Sequence, residues 1–371
     1  MKRRRKKKEI GFISRTARTF NLFFVSLLLL SYLASFVNPS FFWPIAFLGL
    51  AYPFLLLINC IFIAYWLIRK PVYALFSVTA ILIGWKFLFS TIGFRESRAI
   101  IVPKSSEDMI RVMTWNIHNF RPFNPVNNEG AVKREILDVI RREQPDILCL
   151  QEYYSKRRGE NNMKRIISEL LNSEHYYIYE DFSNEWEIQG MVFFSKIPIT
   201  NSGSISFPNT DRGNEAIFAD FLYNKKKFRV YNIHLQSIRF QPEDYEYIKS
   251  GKKTDVESSK RIGGRLKKAF IKRSEQALLV KSHIKNCNSP YIIAGDFNDT
   301  PVSFAVNTLS GGINNTFRKK GSGFGITYNG DFPNFQIDYI LASKEFDVKS
   351  YLTVRKKLSD HYPVISDLEL R

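Results

Sequence analysis

Three apolar runs within the first hundred residues constrain this chain more than any other feature. They span about 20 to 37 (FNLFFVSLLLLSYLASFV), about 41 to 68 (FFWPIAFLGLAYPFLLLINCIFIAYWLI) and about 72 to 92 (VYALFSVTAILIGWKFLFSTI). Each is close to or beyond the ~20 residues a helix needs to cross a ~30 Å hydrocarbon core. The first two carry no polar face at 3.6-residue spacing, which a buried helix of a soluble protein would show. They predict three transmembrane helices within residues 20–94. Pro44 and Pro53 lie in the second run, where a kink is tolerated if neighbouring helices satisfy the freed backbone groups.

The charges around these runs set an expected topology. Residues 1–19 form a basic tail, and Lys2 to Lys8 holds that end on the cytoplasmic side. A cleaved leader is disfavoured, since no small-x-small site precedes the second run. Arg69 and Lys70 separate runs two and three, while residues 38–40 between runs one and two are uncharged. Three crossings then place the rest of the chain outside. If the third run, which contains Lys86, does not cross, the rest faces the cytoplasm. The expectation is an integral protein of the plasma or inner membrane, with the lipid bilayer as a partner and no protein partner deducible.

Net charge is +19, but 14 basic and two acidic residues up to Arg98 account for +12 of it. The high charge therefore belongs to the membrane segment and is not a nucleic-acid footprint of the whole chain. Cys60, Cys149 and Cys287 have no metal-ligand spacing, and their odd number argues against a disulfide framework.

Residues 95–108 read as a linker and 109–371 as one catalytic domain. Strands are expected at 109–117, 146–150, 175–180, 190–195, 216–223, 227–233, 290–295, 336–342 and 363–368, and helices at 130–143, 161–171 and 256–286. This alternation predicts an α/β fold in which two sheets pack face to face with helices outside.

Polar residues recur where these strands end. They are Asn116 and His118, Gln151 and Glu152, Asn232 and His234, Asp296 and Asn298, Asp338, and Asp360 with His361. Singly, each is an ordinary turn or cap residue. Together, their carboxylates and amides supply hard oxygen ligands for Mg²⁺ or Mn²⁺, and their imidazoles suit a phosphoryl oxygen.

The segments TWNIH, LQE, NIHL, GDFN, IDYI and SDHYP occur in this order, and the chain from 109 to 371 thereby resembles the endonuclease/exonuclease/phosphatase superfamily. The resemblance implies a four-layered α/β sandwich of two mostly antiparallel sheets, a divalent metal, and in-line attack of water on a phosphate ester. It implies that Glu152 is the principal metal ligand, with Asn116 and Asp360 completing the site. Asp296 would orient or deprotonate the water, Asn298 hold a phosphate oxygen, His234 donate to the developing charge, and Asp338 pair with His361. Either Asp296 or the Asp338–His361 pair is the base on this reading. A partner orienting His234 is sought among Tyr177, Tyr179 and Glu180. The expected activity is that of a membrane-anchored phosphoesterase of nuclease type. The alternatives are a phospholipid, sphingomyelin or sugar-phosphate esterase, and a non-catalytic membrane binding protein; the substrate would be nucleic acid or a phospholipid headgroup.

Two flanking features invite a functional reading. The basic stretch 239–273, with Tyr245, Tyr247, Arg261, Arg265, Lys267 and Lys268, suits either a polyanion track or a solvated helix face, and the latter is favoured. GSGFG at 321–325 reads as a mobile loop at the site's rim.

Overall fold

Strands after residue 108, the central ones buried on both faces, build two mixed sheets, as seen in a computed structural model. It describes residues 12–95, 108–122, 128–208, 210, 212–250, 255–330 and 334–371. The Lys2–Lys8 stretch and nearly all of the 95–108 linker lie outside the described residues. The seven-stranded sheet runs Phe346–Val348, Val364–Leu370, Met109–Asn116, Ile147–Lys156, Glu187–Ser195, His175–Ser183, with Leu352–Thr353 also paired to Val364–Leu370. The six-stranded sheet runs Asn314–Asn315, Asp338–Ala342, Tyr291–Asp296, Lys226–His234, Ala216–Tyr223, Ile199–Ile205. All pairings in both sheets are antiparallel except one in each: Met109–Asn116 with Ile147–Lys156, and Lys226–His234 with Tyr291–Asp296. Because paired parallel strands finish on the same edge, their last residues gather there.

The inner faces of the sheets meet in a dry core that includes Val112, Cys149, Phe193, Phe221, Phe228 and Ile292. Helices Glu129–Glu143 and Met163–Leu171 cover the outer face of the first sheet through Ile136, Ile140 and Ile167. Helices Val256–Lys285 and Phe304–Ser310 cover the second through Ala277, Val280 and Leu309. Full burial of each such aliphatic or aromatic side chain contributes roughly 1.5–3 kcal/mol. The four layers are thus specified by which faces of strands and helices are apolar. Asn128 caps the first helix, accepting from Ala131 N at 3.1 Å, and left-handed Gln144 ends it.

Gln151 and Asn232, two of the strand-end polar residues, cross the core instead of entering the site. Asn232 Nδ2 donates to the carbonyls of Leu150 at 3.1 Å and Val192 at 3.2 Å, and Asn232 Oδ1 accepts from Gln151 Nε2 at 2.6 Å. All these groups are buried, so the bonds pin one sheet on the other.

The N-terminal segment departs from the expected three spans. Helices Phe12–Leu33, of 22 residues, and Tyr52–Arg69, of 18, are long and apolar enough to cross a membrane. The third run is broken: Pro71–Ile83 and Trp85–Thr91 are bent by 74° at Gly84. A Cβ on Gly84 would lie 2.1 Å from the Tyr32 ring, so close packing fixes glycine at this bend. The second run also divides, with Pro39–Phe42 and Pro44–Leu50 preceding the longer helix. A buried polar chain ties the three helical segments together. Trp66 Nε1 donates to Asn21 Oδ1 at 3.0 Å, Asn21 Nδ2 to Ser77 Oγ at 2.7 Å, and Ser77 Oγ to Asn59 Oδ1 at 2.8 Å. Such side-chain bonds hold helices together where apolar surroundings give no burial advantage.

This segment packs on the catalytic domain. Ile92–Phe94 pairs antiparallel with Ser322–Phe324, so GSGFG is a docking strand and not the free rim loop expected from its glycines. Phe47 meets Phe270 edge-on at 5.2 Å, Asn307 Nδ2 donates to Ser35 O at 2.9 Å, and a Cβ on Gly49 would lie 2.3 Å from Val302 O. Strand Ile199–Ile205 and the short pieces at 314–315, 346–348 and 352–353 were not anticipated, being too short or too polar for their periodicity to register.

Candidate active site

The two parallel strand pairs deliver Asn116 and Glu152 from one sheet, and His234 and Asp296 from the other, to one cavity. Glu152 arrives there by an irregularity. Its strand does not stop at 150 but continues to Lys156, and the pairing with Glu187–Ser195 shifts register between Leu150 and Tyr153. At this bulge Glu152 adopts φ +49°, a left-handed conformation that redirects its side chain into the cavity. Opposite the bulge, a Cβ on Gly190 would lie 1.9 Å from Tyr179 O.

Asn116 Nδ2 donates to Glu152 Oε1 at 3.0 Å and to Asp296 Oδ2 at 3.2 Å. Asp296 is buried and accepts from Asn298 N at 2.8 Å and Asn298 Nδ2 at 3.2 Å. It stands between two imidazoles, with His234 Nε2 3.5 Å and His361 Nε2 3.6 Å from Asp296 Oδ2. His361 Nδ1 faces Asp338 at 3.0 and 3.1 Å from its two oxygens. Asp338 is fully buried behind His361, while the other seven predicted site residues line one cavity of about 400 Å³. All eight are therefore brought together.

Electrostatics follow from this burial. Desolvation pushes the Asp296 carboxyl up to about 6, with neighbouring Asp338 adding and both imidazoles opposing. For His361, burial disfavours the cation, yet Asp338 and Asp296 outweigh it and hold the imidazole well above its usual range. Both His234 nitrogens are buried and have no hydrogen-bond partner among the described residues. Tyr177, Tyr179 and Glu180 do not orient this ring: Glu180 pairs with Arg157 at 3.0 Å, and Tyr179 bonds Glu215.

Sequence reasoning missed two residues that shape the site. Ser359 Oγ donates toward Asn116 O at 2.8 Å and Asp360 Oδ1 at 3.0 Å, and accepts from His361 N at 3.2 Å. Its signal was its place in SDHYP. Arg273, buried beneath the site, donates to Asn298 O and lies 3.5 Å from Asp299 Oδ1. It props Asn298 in its left-handed conformation, φ +52°, and was hidden among the other basic residues of its stretch. Of those, Arg261 and Arg265 both engage the buried Asp244 at 2.7 and 3.1 Å, and Lys267 lies over the Trp43 ring. These three basic side chains of the stretch are therefore paired or stacked within the fold.

Comparison with known proteins agrees with this arrangement. A profile described as the Endonuclease/Exonuclease/phosphatase family matches residues 113–361. The chain belongs to that family. Its members hydrolyse phosphate esters, and the fold here is of that phosphoesterase and nuclease type. A second profile, of a domain of unknown function, matches residues 14–91, and no curated protein matches the chain. Among solved structures, the human Nocturnin catalytic domain with bound sulfate is similar at 20% identity and TM-score 0.52, covering 71% of this chain and 95% of that one. A family protein from Bacteroides vulgatus is similar at 20% identity and TM-score 0.52, covering 71% and 99%. One from Beutenbergia cavernae shows 21% identity and TM-score 0.50, covering 71% and 72%. These likenesses describe the fold.

The family's divalent metal fits the donors present. Glu152, Asn116 and Asp360 line the cavity and offer hard oxygens, which suit Mg²⁺ or Mn²⁺. Asp296, Asp338 and His361 bring ligand atoms within 4.8 Å of one another and form a second donor group.

Proposed function

We propose that this protein is a membrane-anchored, divalent-metal-dependent phosphoesterase that hydrolyses a phosphate ester by in-line attack of water. The observation that carries the reading is the convergence of Glu152, Asn116, His234, Asp296, Asn298 and His361 in one cavity, with Asp296 between the two imidazoles. Glu152, Asn116 and Asp360 would hold a divalent cation, which when bound would neutralise charge on the phosphoryl oxygens. Asp296, raised only to about 6, is ionised at pH 7 and takes the proton of the attacking water. His361, held above its usual range by Asp338 and Asp296 against the cost of burial, donates to a phosphoryl oxygen on this reading. His234 Nε2 adds a donor where negative charge grows, and Asn298 Nδ2, bonded to Leu235 O and Asp296 Oδ2, holds that carboxylate in place. As the water oxygen bonds to phosphorus, the ester P–O bond breaks, the leaving oxygen takes a proton from solvent, and Asp296 releases to solvent the proton it accepted.

The anchor is proposed to place this site outside the cytoplasm. The first long helix ends against the catalytic domain at Ser35, and the second begins beside it, where Phe54 faces Phe335. At the far end Arg18 and Lys70 gather around Tyr73, as expected of a cytoplasmic face. The broken third segment returns the chain to the catalytic side, where Lys86 Nζ meets Asn307 Oδ1 at 3.3 Å.

The test is hydrolysis of a chromogenic phosphodiester by the purified full-length protein with Mg²⁺ or Mn²⁺. Turnover abolished by EDTA and reduced at least 100-fold in Glu152→Gln is expected. EDTA-insensitive turnover would contradict the reading.

A further inference from the structure

We infer that the substrate is an amphiphile: a phosphate ester whose apolar tail lies in the far half of the catalytic cavity. This rests on the phosphoesterase reading above and names its substrate class.

The polar lining of the cavity includes the catalytic residues together with Ser237, Arg239, Tyr245, Thr300 and Tyr328, and an apolar wall faces them. That wall is built by Ile262, Leu266 and Phe270, spaced i, i+4, i+8 on one face of helix Val256–Lys285, together with Phe335 and Ile337. The same helix face ends one turn later in Arg273 beneath Asn298. One stripe therefore grades from aliphatic to cationic as it nears the phosphate site, the order in which an amphiphile's tail and head would meet it.

Leu50 completes this wall. It is the last residue of helix Pro44–Leu50 in the apolar N-terminal segment, separated by one residue from the long helix Tyr52–Arg69, so membrane-type chain reaches the reaction cavity itself. The helices behind it present apolar side chains outward, such as Phe20, Leu57, Ile61 and Ile68. Leu50 thus joins the apolar wall of the cavity to that apolar segment. The volume, about 400 Å³, lies in the range of sites that enclose most of a small ligand. A nucleic acid would call instead for a cationic groove along its backbone. Arg261 and Arg265, the nearby candidates for one, are tied to Asp244.

The experiment uses the full-length protein in nanodiscs with Mg²⁺ or Mn²⁺ and a series of alkyl phosphodiesters with one chromogenic headgroup and tails of increasing length. Enclosed tail should raise kcat/KM by up to about four-fold per methylene. The double variant Ile262→Gln, Leu266→Gln should flatten that dependence at unchanged melting temperature. Partitioning into the disc would give the same slope in both proteins, so an unflattened slope overturns the inference, as does a preference for oligonucleotide over every alkyl ester. Binding of the matching alkylphosphonates is read separately by calorimetry. Turnover without tail dependence sinks the tail site and leaves the phosphoesterase standing. Variant-sensitive, tail-dependent binding without turnover does the reverse, and neither binding nor turnover overturns both.

Discussion

Replacing Asp338 with asparagine isolates the electrostatic part of the site from its shape. Asp338 is fully buried, and its carboxylate accepts from His361 Nδ1 at 3.0 Å. The side chain keeps its volume in Asp338→Asn, and the backbone N–H of residue 338 still donates to Thr327 Oγ1. What changes is the charge. A hydrogen bond to a charged group is worth about 1.5–3 kcal/mol and a neutral one about 0.5–1.5, so the imidazolium loses about 1 kcal/mol from that bond alone. That is close to one pKa unit, and loss of the anion's field adds to it. His361 is held above its ordinary range largely by this carboxylate, so its cationic form persists up to that raised pKa and is lost as pH rises through it. In Asp338→Asn the loss starts at lower pH. The expectation is a kcat lower by about 10² to 10³ at pH 8, the range for loss of one donor to developing negative charge, with the alkaline limb of the pH–rate profile shifted acidward. Stopped assays from pH 5 to 9 measure both. An unchanged profile with kcat within about three-fold of wild type would refute the reasoning.

Other consequences follow from the packing. Asn232→Ala removes three buried inter-sheet hydrogen bonds and should cost roughly 2–4 kcal/mol, visible as a lower melting temperature with the residual site chemistry intact. Glu215, pushed up to about 7 chiefly by burial, with Asp181 adding and the Tyr179 bond opposing, binds its proton more tightly folded than unfolded. Its contribution to stability therefore falls as pH rises between about 4.5 and 7, and Glu215→Gln should melt higher than wild type at pH 8 but not at pH 4.5. Equal shifts at both pH values would show that the carboxylate is not titrating there. Gly49→Val drives a side chain against Val302 O and should cost about 1–3 kcal/mol, with faster hydrogen exchange in Phe304–Ser310. Unaltered exchange would mean that the anchor does not brace this helix.

Much of the site was legible because each of its residues sits in a short motif tied to a strand end, and strands announce themselves by apolar, β-branched runs. What escaped depends on partners distant in sequence. The bulge at Glu152 is set by the register of the strand carrying Gly190, so the local LQE pattern reads as a simple strand end. The break at Gly84 answers to the Tyr32 ring, fifty residues earlier, and hydropathy alone reads the run as continuous. GSGFG looks like a loop because its pairing strand, Ile92–Phe94, lies over two hundred residues away. Arg273 is distinguished from its basic neighbours only by burial against Asn298 and Asp299. Gln151 and Asn232 have the same residue types as ligands, and only their position across the two sheets makes them structural.

The account turns on where the cation sits, and Mn²⁺ titration followed by electron paramagnetic resonance reads that directly on the full-length protein. Wild type should bind one Mn²⁺, Glu152→Gln should bind it at least ten-fold more weakly, and Asp338→Asn should bind it with little change. Mn²⁺ retained by Glu152→Gln but lost from Asp338→Asn would place the ion on Asp296, Asp338 and His361, and contradict the roles assigned here to Glu152 and to the Asp338–His361 pair.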